Sequence, residues 1–182
     1  GPGDSVLVLC PSFLGQKVQV CPELLTLSDP ENTHALSVLF TWSPEKYLDT
    51  WQRSVEAEPA RSCIVNVDAD ARSSSSVPAV IEESANYEVR RVTSPEDLTQ
   101  LGVQITDCLD GWNGATAEDQ VAVCLQSVTA LLQYVDLKQA FKFLRVLTQR
   151  FATVDAVAQF HLDPRAHDEE TIQTLVKLFD VV

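Results

Sequence analysis

A three-layer α/β fold, with a mainly parallel central sheet and helices on both faces, is predicted by three features of this sequence. Short apolar runs such as Ser5 to Leu9 (SVLVL) and Val121 to Leu125 (VAVCL) lack polar alternation, as strands buried on both faces do. Between them lie longer segments with apolar residues at three- and four-residue spacings and capping residues at their starts. The two patterns alternate along the chain, which implies right-handed βαβ crossovers. A length of 182 residues suits one such domain.

The elements follow in order. Ser5 to Leu9 is the first strand, and the Pro-, Ser- and Gly-containing CPSFLGQKVQVCPELL after it leads toward a helix beginning near Lys17 or Pro22. Ala35 to Thr41 is a second strand. Ser43-Pro44-Glu45 then caps and preorganises a helix to about Val55. Cys63 to Val67 (CIVNV) is a third strand, and Asp68 to Val77, with four consecutive serines, is a polar loop. Ser94-Pro95-Glu96-Asp97 repeats the capping chemistry before a helix carrying Leu98, Leu101, Ile105 and Leu109 on one stripe. Val121 to Leu125 is placed centrally in the sheet. A helix from about Asp136 to Phe151 directs Phe141, Leu144, Leu147 and Phe151 into the core. Ala156 to Leu162 is a further strand, and Asp168-Glu169-Glu170 starts a helix with Ile172, Leu175, Val176 and Phe179 inward. Asp180 to Val182 begins another strand, as if the piece were cut from a longer chain. Residues 1–3 have the look of a protease-cut expression-tag remnant, leaving 4–182 as the domain.

Acidic residues outnumber basic ones 26 to 13, a formal charge of −13. That charge repels nucleic-acid phosphates and anionic membranes, so neither is an expected partner. The excess of carboxylates with few lysines is what adaptation to concentrated salt produces, and an ordinary acidic cytosolic protein carries the same signature. No run approaches the roughly 20 apolar residues of a membrane-spanning helix, and a cytoplasmic location is expected. Cys10, Cys21, Cys63, Cys108 and Cys124 show neither a CxxC pair nor metal-ligand spacing. They read as buried, reduced thiols.

Three stretches carry a family likeness: the loop Cys10-Pro11-Ser12-Phe13-Leu14-Gly15-Gln16-Lys17 after the first strand, FTWSPEKYLDTW at 40–51, and CLQSVTALLQYVD with the following LKQAFKFLRVL and FHLDPRAHDEETIQTLVKLFDVV. Together they resemble the RecA/KaiC-like P-loop ATPases, particularly the KaiC-like proteins of halophilic archaea, over nearly the whole chain. The resemblance implies a RecA-like three-layer fold and a nucleotide site at the end of the first strand.

The residues of that site are degenerate. With Gly15 at the second glycine of the G-x-x-x-x-G-K-[ST] pattern, the lysine position holds Gln16, the magnesium-binding hydroxyl position holds Lys17, and Cys10 replaces the first glycine, with Ser12 inside the loop. The strand that should end in a magnesium-binding aspartate ends in Gln126, which supplies no charge. Asp68 and Asp70 offer carboxylates, but from a polar loop. The resemblance with these losses implies a domain that hydrolyses no ATP, needs no cofactor and acts through a protein partner, alone or as a homo-oligomer. Two further readings stay open: a weak ATP-binding switch with a rearranged loop, and a self-assembling ring or filament subunit.

Trp42, Tyr47 and Trp51 would form an aromatic interaction patch if exposed, and Trp42 and Trp51 equally well pack the helix against the sheet. Arg90 and Arg91 fall where the resemblance places groups at a subunit edge. His161, Asp163, His167 and Asp168 lie within eight residues, a weak metal signal for which Asp168 has a sufficient alternative role as a helix cap.

Overall fold

The computed structural model describes residues 1–11, 29–40, 44–54, 58–68, 80–83, 86–112 and 119–182. Seven strands form one sheet: β1 (Ser5–Leu9), β2 (Thr33–Leu39), β3 (Arg61–Val67), β4 (Val80–Glu83), β5 (Tyr87–Val92), β6 (Gln120–Gln126) and β7 (Val157–Leu162). Their order is β1-β7-β6-β2-β3-β5-β4, and every neighbouring pair is parallel except β4 with β5. The predicted α/β, mainly parallel, RecA-like three-layer arrangement is therefore present.

The helices are α1 (Pro44–Ser54), α2 (Leu98–Asp110), the single turn α3 (Val128–Leu131), α4 (Leu137–Thr153) and α5 (Glu169–Val176). Strand alternation divides the core in two. On one face Leu36, Val38, Cys63, Val65, Val123, Leu125 and Phe160 pack with Leu101 and Ile105 of α2, Leu144 and Phe151 of α4 and Leu175 of α5. On the other, Ala35, Leu39, Ile64, Val89 and Cys124 pack with Tyr47 of α1. Phe151 and Phe160 are fully buried, and each contributes about 1.5–3 kcal/mol of apolar burial.

Local chemistry fixes the helix starts. Asp136 accepts from the Gln139 backbone while the Gln139 side chain returns to the Asp136 N–H, a reciprocal capping box. Asp168 caps α5 through the Thr171 N–H at 2.8 Å, as expected. At α2 the cap is Asp97, which accepts from Gln100 N at 2.9 Å. Ser94 instead donates to Glu96 within the preceding turn, so the capping residue lies three positions later than Ser94. In α4, Ala140 is fully buried and Phe141 only partly, a small rotation of the predicted stripe. Where a further strand is expected to begin, Val181 forms a single isolated parallel bridge to Val6.

Two expectations are overturned. The cysteines are not all reduced thiols, because Cys63 of β3 and Cys108 of α2 form a disulfide with Cα atoms 6.3 Å apart, within the range such a bond spans. Sequence spacing gave no sign of it, since the pair is 45 residues apart and meets only when α2 lies on the sheet. Tyr47 is not part of an exposed patch: it is buried, with its hydroxyl 2.7 Å from Ser37 Oγ. Trp42 and the Trp51 side chain lie outside the described residues.

Candidate functional site at the carboxyl ends of the strands

Parallel strands bring their carboxyl ends to one edge, and ligands of such sheets bind in crevices where the chain order reverses. From β2 the chain runs through α1 to β3, whereas from β6 it runs through α3 and α4 to β7 on the opposite side. The reversal therefore falls between β2 and β6, where Phe40 N donates to Gln126 O at 3.0 Å. One strand further out, Cys10 N donates to Leu162 O at 2.9 Å and joins the ends of β1 and β7.

Gln126 stands at this edge, partly buried, as the last residue of β6. Its peptide bond to Ser127 is cis, and Ser127 Oγ then accepts from Ala130 N at 3.1 Å to start α3. Thr129, on that turn, joins two elements: its hydroxyl accepts from Asp163 N at 2.9 Å and lies 2.9 Å from His167 Nε2. Asp163, buried at the end of β7, accepts from Arg165 N at 3.0 Å. Burial lowers the His167 pKa, partly opposed by Asp163 and Asp168, so its imidazole is neutral at pH 7. The described edge thus offers hydroxyl, amide and imidazole groups beside one buried aspartate. Such groups can hydrogen-bond a ligand or a peptide, and at Gln126 no charge is available for a divalent cation.

Ser12, Gly15, Gln16, Lys17 and Asp70 lie outside the described residues, as do the predicted helix near Lys17 and most of the serine-rich loop. Asp68 sits at the end of β3 with Oδ2 4.0 Å from Arg91 Nη2. Neither Arg90 nor Arg91 is at a sheet edge, because β4 covers β5 on its outer side. Arg90 faces α2, with Nη1 3.1 Å from Gln104 Oε1 and 3.6 Å from Asp107 Oδ2, and Nε 3.3 Å from Glu88 Oε1. These contacts tie β5 to α2.

His161, Asp163, His167 and Asp168 do not assemble as metal ligands. His161 is buried within β7, and Asp168 is committed to the α5 cap. Among the described residues, the metal-type donors that converge are Cys63 Sγ, Cys108 Sγ and a Glu88 carboxylate oxygen, all within 4.8 Å of one another. Sequence reasoning missed this group and Thr129. The signal for Thr129 was a hydroxyl residue three positions after the strand ending in Gln126, but its partners lie 34 and 38 residues away.

None of the curated, characterised proteins matches this chain. Among solved structures, a Pyrococcus horikoshii OT3 protein determined as a structural-study target is similar with a TM-score of 0.55 and 9% identity, covering 98% of this chain and 79% of that one. A likeness at that identity establishes the fold alone. A family model matches residues 3–182, and the chain belongs to the family of unknown function DUF7504.

Proposed function

We propose that this chain is a non-catalytic, RecA/KaiC-like regulatory or scaffold domain that acts through contact with another protein. The observation that carries the reading is Gln126, an uncharged side chain at the end of β6 beside the point where the chain order reverses between β2 and β6. Phosphoryl transfer depends on positioned charge and on a metal ion held by carboxylate or hydroxyl oxygens. The sequence supplies neither at the corresponding positions, Lys17 and Gln126. The strand order supports the same reading, since β1 and β6 flank β7 and their carboxyl ends border one edge.

The partner is a protein surface rather than a nucleic acid or a lipid, given the charge of −13. No helix of the described residues is long and apolar enough to cross a membrane. The reading places the domain in the cytoplasm of a salt-adapted cell, where Cys63–Cys108 would be a redox-responsive pair, because permanent disulfides are rare in reducing compartments.

Calorimetric titration with ATP and magnesium in molar potassium chloride tests the proposal. Absence of binding is expected. Micromolar affinity would overturn it and establish a nucleotide-binding switch, and light scattering in the same buffer distinguishes an isolated domain from a ring or filament subunit.

A further inference from the structure

We propose that Cys63, Cys108 and Glu88 form, once the disulfide is reduced, a binding site for a thiophilic divalent cation of the zinc type. Their donor atoms already lie within 4.8 Å of one another. Tetrahedral zinc with sulfur ligands at about 2.3 Å sets donors about 3.8 Å apart, so small side-chain rotations suffice. The Cα separation of 6.3 Å lies toward the upper end of the disulfide range and leaves the two arms room to open around an ion.

The backbone places these groups together for simple reasons. Cys63 and Glu88 are register partners on β3 and β5 and so project to the same face, where α2 delivers Cys108. The cysteines are fully buried, whereas the Glu88 side chain is 26% exposed, which gives an ion a route from solvent. Two sulfurs with one carboxylate favour zinc over magnesium or calcium, which take oxygen ligands. Charge also balances. A dication with two thiolates and one carboxylate leaves a single negative charge, which Arg90 opposes at 3.3 Å from Glu88. Gln104 and Asp107 of α2 hold that guanidinium, so Arg90 would orient the carboxylate from behind.

The chemistry has two steps. A dithiol reductant transfers two electrons and two protons to the Cys63–Cys108 bond, giving two thiols and its own disulfide. The cation then binds both sulfurs and releases their two protons, with a water completing its coordination. Either way β3 stays linked to α2, by a covalent bond when oxidised and by the metal when reduced.

The test is anaerobic titration of the reduced full chain with zinc against a chromophoric chelator, and with cobalt to read sulfur-to-metal charge-transfer absorption. One equivalent of zinc is expected for the reduced protein and none for the oxidised protein. Cys108→Ser should abolish binding and the charge-transfer band, and Glu88→Gln should weaken affinity about tenfold or more. Absence of binding to the reduced protein, or binding that neither substitution alters, overturns the proposal. If Cys108→Ser fails to fold, Glu88→Gln, at a partly exposed position, decides the matter.

Discussion

Thr129 Oγ1 lies 2.9 Å from His167 Nε2 and also accepts the Asp163 N–H, so one hydroxyl joins the turn after β6 to the end of β7 and the approach to α5. Thr129→Val keeps the shape and removes both bonds, leaving a part-buried N–H without its acceptor. The expected loss is about 1–3 kcal/mol, read from urea unfolding midpoints. An unchanged midpoint would mean that water replaces the hydroxyl at no cost.

Stability should fall in mild acid. Burial lowers the pKa of both His34 and His167, with Asp119 partly opposing it at His34 and Asp163 and Asp168 at His167. The unfolded chain therefore takes up protons first, near the ordinary value of about 6.5. The contribution is full above that pH and declines as the pH falls toward the lowered folded values. Urea midpoints at pH 7.5 and 5.5 should differ accordingly, and the difference should shrink in a variant carrying His34→Asn and His167→Asn. Asp168, held below the usual carboxylate range by hydrogen bonds from Thr171, adds its own loss only at more acidic pH.

Tyr47→Phe tests the corrected position of that ring. The hydroxyl–hydroxyl bond to Ser37 is buried, so deleting one partner strands the other and should cost about 1–2 kcal/mol. If Tyr47 were an exposed interface residue, the substitution would leave stability unchanged.

Phe160→Ala should cost about 3–5 kcal/mol by thermal or urea unfolding, because the ring is fully buried between Phe151 and Phe179 at centroid distances of 6.1 and 5.0 Å.

A charge of −13 should make stability depend on salt. Screening shortens to about 3 Å at 1 M, so the melting temperature should rise between dilute buffer and molar potassium chloride. A flat response would remove the argument for adaptation to concentrated salt.

CIVNV and VAVCL were legible because they are buried with almost no solvent side to encode. SVLVL, expected to be buried on both faces, is instead the edge strand β1 with Leu9 41% exposed, and its apolar run alone made it legible. The pair β4 and β5 went unseen for the opposite reason. YEVRRV carries two arginines and a glutamate, and reads as surface until α2 supplies Gln104 and Asp107 to receive Arg90. Helix caps formed by aspartate before an apolar stripe were readable to within a few residues, as Asp168 and Asp97 show. The Gln126 position was readable as the end of a strand. Its neighbours Thr129, Asp163 and His167 were not, since only the pairing of β6 with β7 brings their segments together. The same limit hid the Cys63–Cys108–Glu88 group, whose members belong to three elements.

The pairing of β1 with β7 sets Ser5 opposite Ala158, a partner made more than 150 residues later. At about 5–20 residues per second, a ribosome would expose the first strand for roughly ten seconds or more before its neighbour exists. Loop-closure entropy delays the same contact in the refolding chain, whereas β2 and β3 are joined by a much shorter crossover. β1 is thus the natural candidate for last arrival, and during synthesis its apolar SVLVL needs shelter from other chains.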